Sequence, residues 1–452
     1  MREDISRIFR AYDVRGVYGE DLTEDVAVEI GKSFGTYIGA GKRIVVGRDV
    51  RLSGKTLQDA LVKGLLSTGC NVLDVGVLPT PIFYFSIIHY QTDGGVMVTA
   101  SHNPAEWNGF KFCREKGSML AEGLGLEDVR EIIQKRSYRT GLRGRVESRR
   151  DIIEVYNRFI LSMVGKCRKE LKVAVDAGNG ACSKFVSSLL RKIGMDVIAI
   201  NDVPDGRFPA HKPEPNEETL RELMNLVVEE EADFGIGYDG DGDRVIFIDD
   251  RGRIVPGDIA LIVMAQHYLA KGPGAVVYDI SCSMAVEEEI KRMGGQPIVS
   301  RVGRAYLTEA MRRENAVLGG ELSGHLYFSE MYGFDDAIYG GLKMAEILSN
   351  REEKLSRIVD SIPKYPSIPV KEYECPDEVK FKIVAELANE FRRLGYNTLT
   401  IDGVKVVQPD GWFLIRASNT LPQIKMKAEA KTYEKLNELV RLAEMKIMEK
   451  IG

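Results

Sequence analysis

Three segments of the sequence share one plan: an apolar run, a turn containing Gly, Asp or Ser, and an amphipathic helical pattern. They cover residues 42–66, 172–194 and 275–295. A second apolar run follows each helical pattern, as NVLDVGVL, MDVIAI and QPIVSR. Strands that alternate with helices are typical of α/β units around parallel sheets. The repetition predicts an α/β fold with three similar domains that contain mixed, mostly parallel sheets.

Charged and turn-rich stretches indicate where these units end. The stretches are residues 139–151, 249–258 and 364–369. Beyond them, apolar runs that alternate like antiparallel strands lie between two helical patterns, which predicts a different, α+β domain at the C-terminus. We therefore expect four domains around one central cleft, with boundaries at 1–150, 151–253, 254–365 and 366–452.

Composition excludes several classes of protein. The 452 residues carry a formal charge of −5, so the chain lacks the basic footprint of a nucleic-acid-binding protein. No apolar stretch is long enough for a membrane span, and the first residues lack the apolar core of a signal peptide. The six cysteines are scattered without a Cys-x-x-Cys pair. We expect a cytoplasmic protein without nucleic-acid or membrane partners, and the oligomeric state stays open.

The run DGDGDR places three carboxylates, Asp239, Asp241 and Asp243, at alternate positions after the apolar run DFGIGY. Glycine lets the backbone curl so that these carboxylates converge. Converging carboxylates repel one another unless a cation holds them, and Mg²⁺ prefers such oxygen ligands. A surface hairpin also uses Asp and Gly, but it does not require three Asp at this spacing. The pattern predicts a Mg²⁺ site beside a phosphate.

A second motif, TASHNP, follows the apolar run GGVMV and contains Ser101 and His102. Serine beside histidine can act as a nucleophile or carry a phosphate. Lys111 follows a second turn at Asn108–Gly109. Taken alone, the motif is equally well explained as a turn, because Ser, Asn and Pro all favour turns.

Three further clusters combine glycine or turn residues with polar side chains. In GELSGH, Glu321 and Ser323 suit sugar hydroxyls, and His325 can transfer a proton near neutral pH. The run RASNT contains a guanidinium, two hydroxyls and turn amides, which together suit a phosphate dianion. Its polar residues are Arg416, Ser418, Asn419 and Thr420. The run FRAYDVRG brings Tyr12 and Arg15 close together. Each of these three clusters is also typical of an ordinary turn or surface ion pair.

The five motifs, in this order, resemble those of the α-D-phosphohexomutase family, in its phosphomannomutase/phosphoglucomutase branch. The matching runs are FRAYDVRG at 9–16, TASHNP at 99–104, DGDGDR at 239–244, GELSGH at 320–325 and RASNT at 416–420. Any one run is a weak signal, but five in order across nearly the whole chain are highly specific.

The resemblance implies a role for each candidate residue. Ser101 would carry a phosphoryl group, and an oxygen of that group would join Asp239, Asp241 and Asp243 around Mg²⁺. The other candidate catalytic residues are Lys111, His325, Arg15, His102 and Arg244. The substrate-binding residues would be Tyr12, Glu321, Ser323, Arg416, Ser418, Asn419 and Thr420.

The resemblance also implies a reaction. Phosphoserine gives its phosphoryl group to the free hydroxyl of a hexose monophosphate, and the other phosphate of the resulting 1,6-bisphosphate returns to Ser101. Mannose and glucose phosphates are the expected substrates, and glucose 1,6-bisphosphate or mannose 1,6-bisphosphate the expected activator. Arg304 departs from the pattern, since bacterial relatives often have a sugar-contacting histidine there. The phosphoglucosamine branch shares most of the motifs, although Leu322 and the run YGFDDAIY favour the mannose/glucose branch.

The motifs leave two other functions open. A magnesium-dependent phosphatase of the haloacid-dehalogenase type would use Asp239 as its nucleophile, but it leaves TASHNP and RASNT without a role. A non-enzymatic sensor of sugar phosphates would need the binding loops and no phosphorylated serine.

Overall fold

The computed structural model describes residues 5–418 and 422–451. Within these residues the chain forms four sheets. The first sheet contains strands β1 (Val14–Val17), β2 (Arg43–Arg48), β3 (Asn71–Val77), β4 (Gly94–Val98), β5 (Trp107–Arg114) and β6 (Val146–Ser148). Its helices are α1 (Glu24–Ile38), α2 (Gly54–Ser67), α3 (Thr80–His89) and α4 (Leu126–Lys135). Strand β6 lies in the stretch predicted to be a linker and pairs with the sheet edge.

The second and third sheets are smaller. The second domain contains α5 (Ile152–Met163), β7 (Lys172–Asp176), α6 (Phe185–Lys192), β8 (Asp196–Ile200), α7 (Arg221–Glu229), β9 (Phe234–Tyr238), β10 (Val245–Ile248) and β11 (Ile254–Val255). The third contains α8 (Gly257–Leu269), β12 (Ala275–Asp279), α9 (Met284–Arg292), β13 (Gln296–Ser300), α10 (Arg304–Arg313), β14 (Leu318–Gly320), β15 (Leu326–Phe328), α11 (Ala337–Ser349) and α12 (Leu355–Ser361).

One four-strand arrangement recurs in these three sheets. The spatial orders are β3-β2-β4-β5, β8-β7-β9-β10 and β13-β12-β14-β15. In each case the first three strands are parallel and the fourth is antiparallel to its neighbour. The three repeated sequence segments are β2–α2, β7–α6 and β12–α9, so the prediction of three similar α/β domains is confirmed.

The last domain has a different, wholly antiparallel sheet. Its elements are β16 (Lys371–Glu374), α13 (Asp377–Arg393), β17 (Asn397–Leu399), β18 (Val404–Gln408), β19 (Gly411–Ala417), β20 (Gln423–Ala430) and α14 (Tyr433–Ile451). The predicted α+β character is therefore confirmed. This domain has its own apolar core, whereas one continuous core runs through the first three domains.

Helix α11 lies inside that shared core, and every one of its residues is buried. Its N-cap is Asp336, whose carboxylate accepts a hydrogen bond from Tyr339 N at 2.8 Å. The hydroxyl of Tyr156, on α5 of the second domain, donates to the other carboxylate oxygen at 2.7 Å. A buried polar contact thus fixes the start of α11 to the second domain, immediately after the loop that contains Asp335.

We expect Tyr156→Phe to lower the free energy of unfolding by about 1–2 kcal/mol, because a buried carboxylate oxygen loses its donor. Tyr84→Phe is a matched control, since the buried Tyr84 hydroxyl has no hydrogen-bond partner in the described chain. Urea denaturation measures both changes. Equal loss of stability in the two variants would contradict the role given to the Tyr156–Asp336 contact.

Candidate functional site

Three of the sequence motifs occupy the same loop of the repeated domain. The loop after the third strand and before the antiparallel fourth strand contains TASHNP in the first domain, DGDGDR in the second and ELSGH in the third. These loops leave the carboxyl ends of parallel strands, where α/β sheets bind ligands. The repeated topology explains why motifs far apart in sequence converge.

Ser101 is held in a backbone conformation that most side chains avoid. Its φ is +52°, in the left-handed region, and its side chain is buried. The Ser101 N–H donates to Thr99 Oγ1 at 2.9 Å, and Asn103 N donates to Ala100 O at 3.0 Å. Strain of this kind is maintained where the surrounding structure enforces it, commonly at functional sites.

Arg51 supplies much of that enforcement. Its buried guanidinium pairs with Asp49 and donates to four backbone carbonyls within 3.0 Å. These carbonyls belong to Ser101, Asn103, Pro104 and Trp107. All five N–H groups of the guanidinium are therefore used, one on Asp49 and the rest on the serine loop (residues 99–106) and the start of β5. Arg51 was not predicted from the sequence; its only signal was an Asp-x-Arg run just after a predicted strand.

The acidic loop, residues 239–244, folds around the carboxylate of its first residue, Asp239. Asp239 Oδ1 accepts hydrogen bonds from the backbone N–H groups of Gly242, Asp243 and Arg244 at 2.9–3.2 Å. Gly242 has a φ of +75°, which a glycine adopts without strain. The Asp239 side chain is therefore fixed in orientation, with its second oxygen directed elsewhere.

That second oxygen meets the serine. Ser101 Oγ donates to Asp239 Oδ2 at 2.8 Å and lies 3.5 Å from Asp243 Oδ1. A Cβ added at Gly240 would lie 2.7 Å from the Ser101 carbonyl oxygen, so only glycine permits this approach of the two loops. Asp241 is also tied to the first domain, because Thr80 Oγ1 donates to it at 2.6 Å and Thr99 Oγ1 at 3.0 Å.

The three aspartates form a buried cluster with an excess of negative charge. Their ligand oxygens lie within 4.8 Å of one another. Burial and repulsion from Asp243 and Asp241 raise the pKa of Asp239 well above its ordinary value. Lys111 on β5 contacts Asp241 and Asp243 and neutralises only part of the charge. Asp241 Oδ1 is buried without a hydrogen-bond partner in the described chain. A site of oxygen donors with an unused buried carboxylate oxygen fits a divalent cation.

Lys111 is itself a cation in this setting. Burial opposes its charge, but Asp241 and Asp243 raise the pKa of its ammonium group above the ordinary value. A permanently charged ammonium is suited to stabilising an anionic group and poorly suited to accepting a proton.

His325 lies where the second and third domains meet. Its Nδ1 is 2.8 Å from Asp335 Oδ2, and Arg244 Nε donates to its Nε2 at 3.1 Å. Because Arg244 can only donate, the neutral imidazole has its proton on Nδ1 and a lone pair on Nε2. Asp335 lies in the run YGFDDAIY and was not predicted from the sequence as the partner of this histidine.

His102 differs from His325 in its surroundings. Burial and the nearby Arg244 and Arg15 guanidinium groups lower its pKa well below the ordinary value, so this imidazole is neutral. Its Nδ1 lies 3.4 Å from Ser101 Oγ, which is a long contact.

Glu321 and Ser323 are on the third loop, which packs against the acidic loop. Val245 N donates to Gly324 O at 3.0 Å. Glu321 is buried, accepts hydrogen bonds from Gly303 N and the Tyr327 hydroxyl, and has a pKa raised by burial. Ser323 is half-buried on the same loop. The loop that contains both residues therefore packs directly against the acidic loop.

Arg15 reaches the serine loop from β1. Its Nη1 donates to Ala100 O at 3.0 Å and to Asn103 Oδ1. The structure thus brings Ser101, His102, Lys111 and Arg15 together with the acidic loop and His325.

The fourth predicted loop is joined to this group through Tyr12. The Tyr12 hydroxyl donates to Val302 O at 2.9 Å and hydrogen-bonds with Arg416. Arg416 Nη2 lies 3.6 Å from Asp402, and its Nε is buried without a partner in the described chain. Ser418 is buried, and its N–H donates to Gln423 O at 2.8 Å. Asn419 and Thr420 lie outside the described residues.

Comparison with known proteins agrees with this geometry. Models of the four phosphoglucomutase/phosphomannomutase domains match the chain in order. The α/β/α domains I, II and III match residues 6–140, 154–252 and 256–365, and the C-terminal domain matches 373–443. The chain belongs to the phosphoglucomutase/phosphomannomutase family. The domain boundaries expected from the sequence, at 1–150, 151–253, 254–365 and 366–452, stay predictions.

Individual relatives cover almost the whole chain. It is 37% identical to a phosphoglucomutase/phosphomannomutase of Thermococcus kodakarensis over 98% of this chain and 99% of the relative. It is 35% identical to a probable phosphoglucosamine mutase of Methanopyrus kandleri, with 96% of each chain covered. A solved family structure from Burkholderia thailandensis superposes with a TM-score of 0.90 at 32% identity, covering 98% of this chain and 97% of that one.

Membership of the phosphoglucomutase/phosphomannomutase family establishes the reaction class. The protein is an isomerase-type phosphotransferase that acts on hexose phosphates. The family is metal-dependent, in agreement with the buried acidic cluster. Among the described helices, none combines the length and apolar character needed to cross a membrane.

The contacts of Arg51 generate a prediction about turnover. Arg51→Lys retains a cation beside Asp49, but its three N–H groups and different shape cannot serve four loop carbonyls. We expect mutase turnover to fall about a hundredfold, because misplacing a reacting group by about 1 Å costs that much. Steady-state kinetics measure the change.

Arg48→Lys is the matched control, because Arg48 is the last residue of β2, three positions before Arg51, and donates from Nη1 to Gln58 Oε1, outside the serine loop. Its turnover should stay within about threefold of the wild type, the effect of up to about 0.7 kcal/mol. Equal losses in the two variants would contradict the role of Arg51.

Proposed function

We propose that the protein interconverts hexose 1-phosphates and hexose 6-phosphates through a phosphorylated Ser101 and a 1,6-bisphosphate intermediate. The observation that carries this proposal is the position of Ser101 Oγ, 2.8 Å from Asp239 Oδ2 at the edge of the acidic cluster. A phosphoryl group on this oxygen would lie among the cluster, Lys111 and Arg15. A surface turn would not bury a serine hydroxyl there.

Asp239, Asp241 and Asp243 would hold Mg²⁺ together with an oxygen of the group on Ser101. The bound cation would supply stabilisation of negative charge on the phosphoryl oxygens. Lys111 contributes a fixed ammonium on the side of Asp241 and Asp243, so part of the positive charge comes from the chain itself.

In the first half of the reaction, the bond between phosphorus and Ser101 Oγ breaks as the free sugar hydroxyl oxygen bonds to phosphorus. The sugar hydroxyl loses a proton and Ser101 Oγ gains one from water; the second half of the reaction reverses both transfers, so protons balance. We assign proton acceptance to His325 Nε2, whose lone pair becomes available when Arg244 turns from it to a phosphoryl oxygen. Asp335 keeps the His325 ring oriented during this exchange.

In the second half, the bisphosphate presents its other phosphate and returns it to Ser101. A separate site must therefore hold whichever phosphate is not reacting. Arg416 suits this role, because its guanidinium has an unused buried Nε–H and lies beside Tyr12. We assign Ser418, Asn419 and Thr420 to the same site, and Glu321 with Ser323 to the sugar hydroxyls.

We propose mannose and glucose phosphates as substrates, with glucose 1,6-bisphosphate or mannose 1,6-bisphosphate as the activator that phosphorylates Ser101. The alternative is a glucosamine phosphate, because the Methanopyrus kandleri relative at 35% identity is described as a probable phosphoglucosamine mutase. Steady-state comparison of the three sugar 1-phosphates distinguishes them, and a preference for glucosamine 1-phosphate would overturn our choice.

The first test concerns Ser101. Wild-type protein incubated with glucose 1,6-bisphosphate should gain the mass of one phosphate on Ser101, and Ser101→Ala should lose nearly all turnover. Ser86→Ala is a control, because Ser86 is also buried but donates to Phe83 O inside α3. Wild-type protein that never accepts phosphate, or full activity in Ser101→Ala, would contradict the proposal. The phosphatase alternative predicts activity that depends on Asp239 alone.

The second test concerns the metal. Mg²⁺ that binds only the folded protein raises its thermal midpoint by mass action. After chelator treatment, we expect Mg²⁺ to raise the midpoint of the wild type but not of Asp241→Asn. Asp249→Asn is the control, because Asp249 is a buried carboxylate at the opposite end of β10 that binds a neighbouring turn. An unchanged response in Asp241→Asn would show that Mg²⁺ binds elsewhere.

A further inference from the structure

Arg304 opens helix α10 of the third domain, yet its side chain is buried against the first domain. Only 8% of the residue is exposed. Its Nη2 donates to Asp13 Oδ2 at 2.9 Å and to Tyr12 O at 3.4 Å. The residue therefore belongs to an ion pair that crosses the boundary between the two domains.

Asp13 binds a second guanidinium on the same carboxylate. Arg15 donates from Nε to Asp13 Oδ1 at 3.2 Å and from Nη2 to Oδ2 at 3.1 Å. This two-point contact orients Arg15 so that its remaining group reaches Ala100 O and Asn103 Oδ1 in the serine loop. A planar guanidinium held at two points has little freedom to turn.

The same stretch of the third domain contacts the sugar loop, residues 321–325, which contains Glu321 and Ser323. Gly303, directly before Arg304, donates its N–H to Glu321 Oε2 at 3.2 Å. A Cβ at Gly303 would lie 2.5 Å from the Tyr12 ring, so the backbone packs closely on the first domain. Hydrogen bonds therefore connect the serine loop through Arg15 and Asp13 to Arg304. The peptide between Arg304 and Gly303 and the hydrogen bond of Gly303 N complete the connection to Glu321.

The charges in this connection are buried and mutually dependent. Burial alone would raise the pKa of Asp13, but the Arg15 and Arg304 guanidinium groups lower it, so the carboxylate stays charged. Removing one partner of a buried ion pair leaves a charge without compensation and disturbs the remaining partners. A change at Arg304 should therefore be felt at Arg15 without any direct contact between Arg304 and the serine loop.

We propose that Arg304 is a positioning residue for phosphoryl transfer. Its pair with Asp13 fixes the first domain against the third, and thereby sets the distance between the group on Ser101 and the sugar held at Glu321. The inference rests on the proposed function, because it needs Ser101 as the phosphoryl carrier. It assigns Arg304 to domain alignment rather than to a sugar contact.

The test compares Arg304→Met with the wild type. We expect kcat to fall about ten- to hundredfold, since small misplacement of reacting groups has effects of this size. The KM for the sugar phosphate should stay within about threefold, because the residues assigned to the non-reacting phosphate are unchanged. Phosphorylation of Ser101 by glucose 1,6-bisphosphate is recorded by mass for each variant.

Arg312→Met is the matched control. Arg312 lies on the same helix and crosses the same boundary, donating to Lys116 O at 2.7 Å and Ser118 Oγ at 3.2 Å. It contacts neither Asp13 nor Glu321 in the described hydrogen bonds. We expect its kcat to stay within about threefold of the wild type. Equal kcat losses in Arg304→Met and Arg312→Met would overturn the inference and leave only a general interface effect.

A double-mutant cycle adds a second criterion. Asp13→Asn with Arg304→Met should be no more than about threefold worse in kcat than Asp13→Asn alone, because both changes break one connection. If the kcat losses of the two single variants instead multiply in the double variant, the inference is overturned. If Arg304→Met does not fold, Arg304→Lys replaces it, with full kcat as the contradicting result. Wild-type protein that lacks phosphate on Ser101 and turnover would overturn the proposed function and this inference together.

Discussion

A hydrogen bond between Ser101 and Asp239 is the contact on which the rest of the site depends. It joins a strained serine loop of the first domain to a buried acidic loop of the second. The surrounding structure supports both sides. Arg51 fixes the serine loop through its carbonyls, and three backbone N–H groups fix Asp239. Positioning is achieved before any substrate binds, which is what phosphoryl transfer requires.

The fold makes this contact possible by repetition. The same loop of three equivalent sheets supplies the serine, the aspartates and the sugar-loop carboxylate. Glycines at the closest approaches allow the loops to touch: Gly240 lies against the Ser101 carbonyl, and Gly324 against Val245. One continuous core beneath the first three domains keeps the loops in register, whereas the last domain has a separate core.

Much of the fold and of the candidate site was predictable from the sequence, because the signals for them lie within short, contiguous segments. Repeated strand-turn-helix patterns gave the three α/β domains, and the charged runs identified the loops. Arg51 and Asp13 were missed as site residues because each binds partners that are distant along the chain. Arg51 binds carbonyls about fifty residues away, from Ser101 at 2.8 Å to Trp107 at 3.0 Å. The ion pair of Arg304 with Asp13 crosses 291 residues. No periodicity or spacing contains such contacts.

The central claim is that Ser101 donates the phosphoryl group to the sugar and receives it back. The most direct measurement is a single turnover with protein labelled by ³²P on Ser101 and mixed with unlabelled glucose 1-phosphate. The account predicts that the label leaves the protein, appears first in a hexose bisphosphate and then in hexose 6-phosphate. Release of the label as inorganic phosphate, without labelled sugar phosphate at any time, would contradict it.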